Sequence, residues 1–196
     1  VKAGRMHESK DKVGLASFVT GMLDKGTRSR NASKIAEAID FVGGSLRASS
    51  DFDGSYVSCQ ARSENIGTCL SLLPDVVVNP TFPKAEMKTV RENLMAEVRG
   101  RRDNAGQLAT ANFANELWGD DNARGWVLSA KTVNGIEHKD LVQFHRTWFK
   151  PNNAVLVVAG DVNSKTLPAR LRTAFRTWRK GKLPEPKSVE PPALNR

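Results

Sequence analysis

A short stretch of strict alternation, residues 56–62, most constrains the fold of this chain. The less polar side chains of Val57, Cys59 and Ala61 alternate there with polar ones. A period of two is typical of a strand with one buried face. Asp and Gly in the preceding residues 51–54 supply the chemistry of a tight turn. The sequence therefore predicts a β-hairpin.

Most of the remaining chain has helical periodicity. Residues 31–42 have Asn31 as a candidate N-cap and a Gly-Gly stop, and Pro83 opens a long amphipathic helix over residues 83–102. Further helices are predicted over residues 14–25, from Ser63 to Asn79 with a kink or interruption at Pro74, over residues 107–118, over residues 137–149 with Trp148 inward, and over residues 164–178.

Residues 154–159 are apolar without a break, which predicts a fully buried strand. Residues 120–134 are expected to form an irregular connection. The strands are too close in sequence for parallel crossovers throughout, so we expect a two-layer α+β sandwich, with a mixed, mostly antiparallel sheet and helices on one face. Residues 1–180 would form one domain with a truncated N-terminal strand, and residues 181–196 a linker or tail towards a second domain.

Charge gives little reason to expect a nucleic-acid site. The 196-residue chain has a formal net charge of +9. A nucleic-acid surface would cluster that charge with aromatic residues, whereas Lys and Arg are spread along the whole sequence. The densest stretch, residues 170–182, is interpreted as the solvated face of a helix. No apolar run approaches the roughly 18 residues needed to span a bilayer.

Metal-binding and nucleophilic motifs are sparse. Cys59 and Cys69 are the only cysteines; a disulfide could form in an oxidising compartment, but two buried free thiols are expected. His138 and His145 stand seven residues apart, too far for a helical zinc pair, so each is expected on a helix surface or in a polar pocket. The sequence contains no HExxH, HxxEH, GxSxG or phosphate-loop motif.

Several segments resemble, in order, the pitrilysin/insulinase family of zinc peptidases, which includes the mitochondrial processing peptidases. The resemblance covers nearly all of residues 1–180 and implies the LuxS/MPP-like fold. The segments are GLA at 14–16 with MLDKGT at 22–27, similar to GLAHxxEHMLFKGT; FVGGSLRA at 41–48, similar to GGxLNA; VNPTF at 78–82, similar to LNPTF; and residues 140–160, similar to DLxxFhxxyYxPxNAxLvvvG.

The zinc motif of that family is where this chain departs from it. In active members, HxxEH supplies two zinc ligands and the glutamate that activates water. The matching positions here are Ser17, Thr20 and Gly21. The third ligand of the family corresponds to Glu97, which is present, and its supporting glutamate to Val90. Catalytic zinc needs about three protein ligands, so zinc is expected to be absent and Glu97 to be vestigial.

The resemblance also implies a peptide-binding strand. Family members add an extended peptide to a sheet edge near the GGxLNA segment, and backbone hydrogen bonds can survive the loss of catalysis. The matching edge here is Ser45, Leu46, Arg47, Ala48 and Ser49, up to Ser50. The alternative is an ordinary edge strand that Arg47 protects by its charge.

The function that follows is a non-catalytic homologue of zinc peptidases. It would act as the structural and peptide-holding half of a paired assembly, beside a homologous domain or subunit, such as one with an intact HxxEH. One alternative is a zinc-dependent endopeptidase with a weak or atypical site through Glu97; another is a purely structural subunit. The resemblance favours a bacterial envelope or periplasmic location.

Overall fold

The computed structural model describes residues 1–185, and within them eight α-helices and two β-strands. The α+β class is confirmed, although the sheet is smaller than expected: the two strands form one antiparallel hairpin. The elements are α1 Leu15–Met22, α2 Ala32–Asp40, β1 Ser45–Ser50, β2 Ser55–Gln60, α3 Ile66–Val78, α4 Lys84–Arg102, α5 Ala105–Trp118, α6 Ala130–Gly135, α7 His138–Trp148 and α8 Leu167–Ala174.

The hairpin has one face towards the helices and one towards solvent. Leu46 pairs with Cys59 and Ala48 with Val57, and these half-buried side chains pack against the core. The alternate positions, such as Arg47, are exposed. This is the alternation that a strand with one buried face requires. The sheet therefore has helices on one face, as predicted.

Helix α1 lies at the centre of the fold, in contact with α4, α7 and both strands. Phe18, Val19 and Met22 on this helix are fully buried. Its N-terminus begins after Gly14, whose φ of 103° is a left-handed conformation that glycine adopts without strain. The buried Glu8 carboxylate accepts hydrogen bonds from the N–H groups of Gly14 and Ala16 at 2.9 and 2.7 Å. These bonds satisfy donors that a helix start leaves unpaired.

The long amphipathic helix α4 forms as predicted, starting directly after Pro83. Its apolar stripe of Met87, Val90, Leu94 and Val98 is buried and packs against the core. Arg91 donates to the carbonyl oxygens of Val133 and Ile136 and lies over the Phe18 ring, 5.2 Å from its centroid. Arg91 therefore connects α4 to the α6 region and to α1, which fixes the residues that α4 presents to α1.

The expectation of free thiols is wrong: Cys59 and Cys69 form a disulfide. Cys59 is on the helix-facing side of β2, and Cys69 is in the first turn of α3. Their Cα atoms are 5.6 Å apart, within the usual range for a disulfide. Sequence periodicity placed Cys59 on the less polar face of a strand but could not show that Cys69 lies beside it.

Residues 154–159 do not form the predicted buried strand. The segment has no regular secondary structure, and Val155 and Val157 are 75% and 79% exposed. An apolar run becomes a buried strand only if neighbouring strands bond to its backbone, and no strand pairs with it among residues 1–185. The nearby backbone bonds involve Val1 and Lys2: Val1 exchanges two hydrogen bonds with Ser55, and Lys2 N–H donates to Asn153 O.

Other differences are local. Helix α3 continues through Pro74 without interruption and begins at Ile66, after a 3-10 turn over Ser63–Asn65, so Ser63 is not its cap. Trp148 is only half-buried, and α8 is shorter than the predicted helix over 164–178. The short helix α6 replaces part of the irregular connection predicted over 120–134. Of the predicted linker 181–196, residues 186–196 lie outside the described residues.

Candidate functional site

A cavity of about 280 Å³ opens between α1, β1 and α4, at the positions where the family places its zinc motif. Helix α1 supplies three of the lining residues from one face, and the segment just after it supplies two more. Strand β1 supplies one and α4 supplies three. The lining residues are Ser17, Thr20, Gly21, Asp24, Lys25, Ala48, Val90, Asn93 and Leu94.

The hydroxyl groups of Ser17 and Thr20 are already used within the protein. The Ser17 Oγ lies 3.1 Å from Ser50 Oγ, which joins α1 to the end of β1. The buried Thr20 hydroxyl lies 3.1 Å from the backbone carbonyl oxygens of Ala16 and Ser17, and donates to them. A hydroxyl bonded to its own helix backbone is not placed to accept a proton from water in the cavity.

Gly21 contributes no donor atom, and Val90 occupies the space beside it. A Cβ added at Gly21 would lie 3.0 Å from Val90 Cγ1, closer than ordinary van der Waals contact. Val90 is itself 5% exposed. The apolar Val90 side chain and the bare backbone of Gly21 therefore line the cavity where the family pattern has a supporting glutamate and a histidine.

Glu97 lies on the next turn of α4 after Asn93, and its carboxylate forms an ion pair with Arg101 at 3.1 Å. Its side chain is 55% exposed. An exposed i, i+4 ion pair contributes little to stability, about 0.3–0.5 kcal/mol. The pair nevertheless gives Glu97 a partner of opposite charge within its own helix.

Zinc is the metal that the family implies, and these side chains do not fit it. Catalytic zinc takes about three histidine, cysteine or carboxylate ligands and retains an open position. Serine, threonine and glycine at positions 17, 20 and 21 leave Glu97 as the one such ligand among the four motif positions. Within residues 1–185, no group of three or more His, Cys, Asp or Glu side chains could hold a metal ion.

The outer edge of β1 presents free backbone groups beside this cavity. Asp51 N–H donates to Gly54 O at 2.9 Å, so this pair bonds across the hairpin. Bonded and non-bonded pairs alternate in an antiparallel ladder, so Ser50, Ala48 and Leu46 direct their N–H and C=O groups away from β2. No other strand pairs with that edge in the described part of the chain. The edge has the arrangement that strand addition requires.

His145 belongs to the core rather than to the site. Its Nε2 lies 2.8 Å from Val77 O, and its ring stacks on Phe149 with centroids 4.7 Å apart and meets the edge of Phe82. Burial lowers the pKa of His145 to about 4. The neutral ring therefore donates to the carbonyl at neutral pH. The expected polar pocket is an aromatic one.

Comparison with known proteins places this geometry in a family. A family model described as insulinase (peptidase family M16) matches residues 1–129. The chain belongs to the insulinase family of peptidases. A second model, described as the peptidase M16 inactive domain, matches residues 135–195. The resemblance predicted from the sequence motifs is thereby confirmed.

Curated relatives of this insulinase-family chain include an uncharacterized zinc protease of Rickettsia bellii, 25% identical over 181 residues, and one of Mycobacterium tuberculosis, 28% identical over 176 residues. The alignments cover 92% and 89% of this chain but only 44% and 40% of those proteins. The chain thus spans less than half the length of the curated relatives that it matches.

Solved structures confirm the fold. The peptidase M16 inactive domain from Pseudomonas fluorescens has a TM-score of 0.86 at 22% identity, with 98% of this chain and 47% of that chain covered. The periplasmic protease PqqL from Escherichia coli has a TM-score of 0.85 at 22% identity, with 100% and 22% covered. Pitrilysin has a TM-score of 0.86 at 18% identity, with 97% and 21% covered.

Two features of the site escaped sequence reasoning. The bond between Ser17 and Ser50, 33 residues apart, has no signal in the sequence because any two serines could form it. The packing of Val90 against Gly21 does have a signal in the sequence. The family pattern has a glutamate at position 90 and a histidine at position 21, and this chain has an apolar residue and a glycine there.

Proposed function

We propose that this insulinase-family chain is a non-catalytic half of a paired peptidase assembly, and that it holds extended peptides rather than cleaving them. The observation that carries the proposal is the state of the four motif positions. Ser17 and Thr20 are bonded within the protein, Gly21 is packed against Val90, and Glu97 is paired with Arg101. Without a metal, no group lowers the pKa of an attacking water, and without a base none accepts its proton.

The match to the M16 inactive-domain model supports the absence of catalysis. The names of the curated relatives favour the alternative, a zinc-dependent endopeptidase with a weak site. Elemental analysis of the purified chain separates the two proposals. We expect less than about 0.1 zinc per chain and no chelator-sensitive cleavage of unstructured peptides. Stoichiometric zinc together with chelator-sensitive cleavage would disprove the non-catalytic proposal.

The free edge of β1 supports the peptide-holding role, because backbone pairing needs no particular side chain. Titration of the chain, alone and with a catalytic partner, against neutral extended peptides of about six residues tests this role by fluorescence anisotropy. Binding that is lost when alternate peptide nitrogens are methylated would support strand addition. If no peptide binds in either setting, the remaining proposal is a purely structural subunit.

The length of the relatives and the cysteine chemistry support a proposed partner and compartment. The solved relatives are at least about twice as long as this chain, which supports a homologous domain or subunit as its partner. The disulfide between Cys59 and Cys69 supports an oxidising compartment, such as the bacterial periplasm. No helix in residues 1–185 is long and apolar enough to span a membrane. Thiol labelling of the chain in intact cells tests the compartment: labelled cysteines would contradict it.

A further inference from the structure

Two arginine side chains share one aromatic ring at the end of β1. The Arg124 guanidinium lies 4.2 Å from the ring centroid of Phe52, and the Arg5 guanidinium lies 5.7 Å from it. Arg124 also lies over Trp118, 5.4 Å from the ring centroid. Phe52 and Trp118 therefore hold two positive charges in one place through cation–π contacts.

A third arginine, Arg101 on α4, is near enough for its charge to act on Arg5. Asn93, which lines the cavity, Glu97 and Arg101 follow one another at i, i+4 spacing and so lie along one face of the helix. Burial lowers the pKa of Arg5, and so do the nearby charges of Arg101 and Arg124, whereas Glu8 opposes this effect. The basic cluster consists of Arg5, Arg101 and Arg124.

Carboxylates neutralise this basic cluster only in part. Glu97 pairs with Arg101, and the buried Glu8 carboxylate is occupied by the N–H groups of Gly14 and Ala16. Neither Arg5 nor Arg124 makes an ion pair within residues 1–185. Guanidinium groups with free donors bind carboxylates in charge-assisted pairs.

The basic cluster stands at one end of the free edge of β1. Phe52 follows Ser50, the last residue of β1, by two positions, and Arg5 N–H donates to Asp51 O at 3.0 Å. From Leu46 to Ser50 the edge spans about 13 Å at roughly 3.3 Å per residue. An extended peptide of about five residues on this edge would bring one end to the cluster.

We propose that Arg5, Arg101 and Arg124 form a carboxylate-binding subsite, which selects extended peptides with a negative charge at the end of the segment that pairs with β1. The carboxylate would come from an aspartate or glutamate side chain or from the peptide's own C-terminus. This inference rests on the proposed peptide-holding function and names the class of peptide.

The test measures binding of N-acetylated hexapeptides with a neutral body to the full chain by fluorescence anisotropy. Four peptides differ at the terminal positions: Glu with an amidated C-terminus, Gln with an amidated C-terminus, Gln with a free C-terminal carboxylate, and Lys with an amidated C-terminus. The charged residue is placed first in one set and last in another. We expect the preferred acidic peptide to bind about tenfold more tightly than its Gln-amide match.

Variants connect that preference to the basic cluster. Arg124→Gln should reduce the preference to about twofold or less, and Arg124→Glu should reverse it in favour of the Lys peptide. Arg172→Gln on α8 makes the same charge change at an exposed position and should leave the preference unchanged. Circular dichroism checks that each variant folds, and Arg101→Gln tests the contribution of α4 independently.

The outcomes separate this inference from the proposed function. Equal binding of Glu, Gln and Lys peptides would overturn the subsite and leave strand addition in place. An equal loss with Arg124→Gln and Arg172→Gln would overturn it as well, because general charge would then explain the preference. If no peptide binds at all, the subsite and the peptide-holding role fail together. A preference for the free-carboxylate peptide over the Glu peptide would identify a C-terminus as the source.

Discussion

Restoring the zinc motif tests how far the site has been repacked. The variant Ser17→His, Thr20→Glu, Gly21→His returns the family's side chains to α1. A side chain at Gly21 meets Val90 Cγ1 at 3.0 Å, and overpacking of this kind costs about 1–3 kcal/mol. Loss of the bond between Ser17 and Ser50 adds about 1 kcal/mol. We therefore expect the metal-free variant to be about 2–4 kcal/mol less stable than the parent.

A companion substitution isolates the role of Val90. In the parent, Val90→Ala removes buried methyl groups and should cost about 1–2 kcal/mol. In the restored-motif variant, the same change makes room at position 21 and should raise stability. The two effects have opposite signs, as expected for residues in direct contact. Gly100→His is the control for the glycine substitution, since nothing lies within 4 Å of a Cβ at Gly100.

Urea unfolding with and without zinc measures the stability of each variant, and elemental analysis after dialysis measures the zinc that it retains. The variant with four substitutions should retain zinc through positions 17, 21 and 97. Free zinc at 100 times its dissociation constant would then add about 2.7 kcal/mol. If Val90→Ala costs the same in both backgrounds, Val90 does not limit the space for a side chain at position 21. If the variant with four substitutions gains no zinc, these side chains alone are not sufficient to build the zinc site of the family pattern.

The remaining predictions concern pH, the disulfide and the exposed apolar segment. His145, with a pKa of about 4, should make the free energy of unfolding rise with pH up to about 6.5, because the unfolded chain binds the proton more tightly. Burial raises the pKa of Glu8 to about 7, so Glu8 should make the free energy of unfolding fall between about pH 4.5 and 7. In urea unfolding, Glu8→Gln should show only the rise in stability with pH that His145 causes, and His145→Gln only the fall that Glu8 causes. Equal slopes in both variants would contradict the assignment. Replacing Cys59 and Cys69 by serine opens a loop with a sequence separation of 10 and should lower the free energy of unfolding by about 3 kcal/mol in chemical denaturation. An unchanged unfolding midpoint would mean that the disulfide does not form in solution. Val157 is 79% exposed on an unpaired extended segment, so Val157→Lys should reduce self-association in light scattering with little change in Tm. Aggregation equal to that of the parent would show that this segment does not drive self-association.

Sequence reasoning succeeded where local pattern and long-range packing agree. The stripe of Met87, Val90, Leu94 and Val98 predicts α4 because a helix of this length can be stable only with that stripe buried, and it is buried. Asn31 caps α2 as predicted, accepting a hydrogen bond from Lys34 N–H. The family motifs added the positions that correspond to the zinc motif of the family.

Sequence reasoning failed where the local structure depends on residues that are distant in the sequence. The apolar run at 154–159 predicts a buried strand only if another strand lies beside it. Helix α6 was missed because its six residues are too few for a periodic pattern, and its capping box uses Ser129 and Thr132 rather than the usual Ser and Glu. The basic cluster joins Arg5, Arg101 and Arg124 across almost 120 residues of sequence, so spacing could not predict it.

The hairpin beside the cavity is anchored at two points, and this has a consequence for specificity. The disulfide ties β2 to α3, and the contact between Ser17 and Ser50 ties β1 to α1. Because each strand is held to a different helix, the edge of β1 keeps its position beside the cavity. On the proposed strand addition, alternate side chains of the peptide would point to opposite faces of the sheet, so that every second one points to the cavity side. A shift of the peptide by one residue would exchange the side chains that face the cavity with those that face away from it. Selectivity should therefore repeat with every second peptide position.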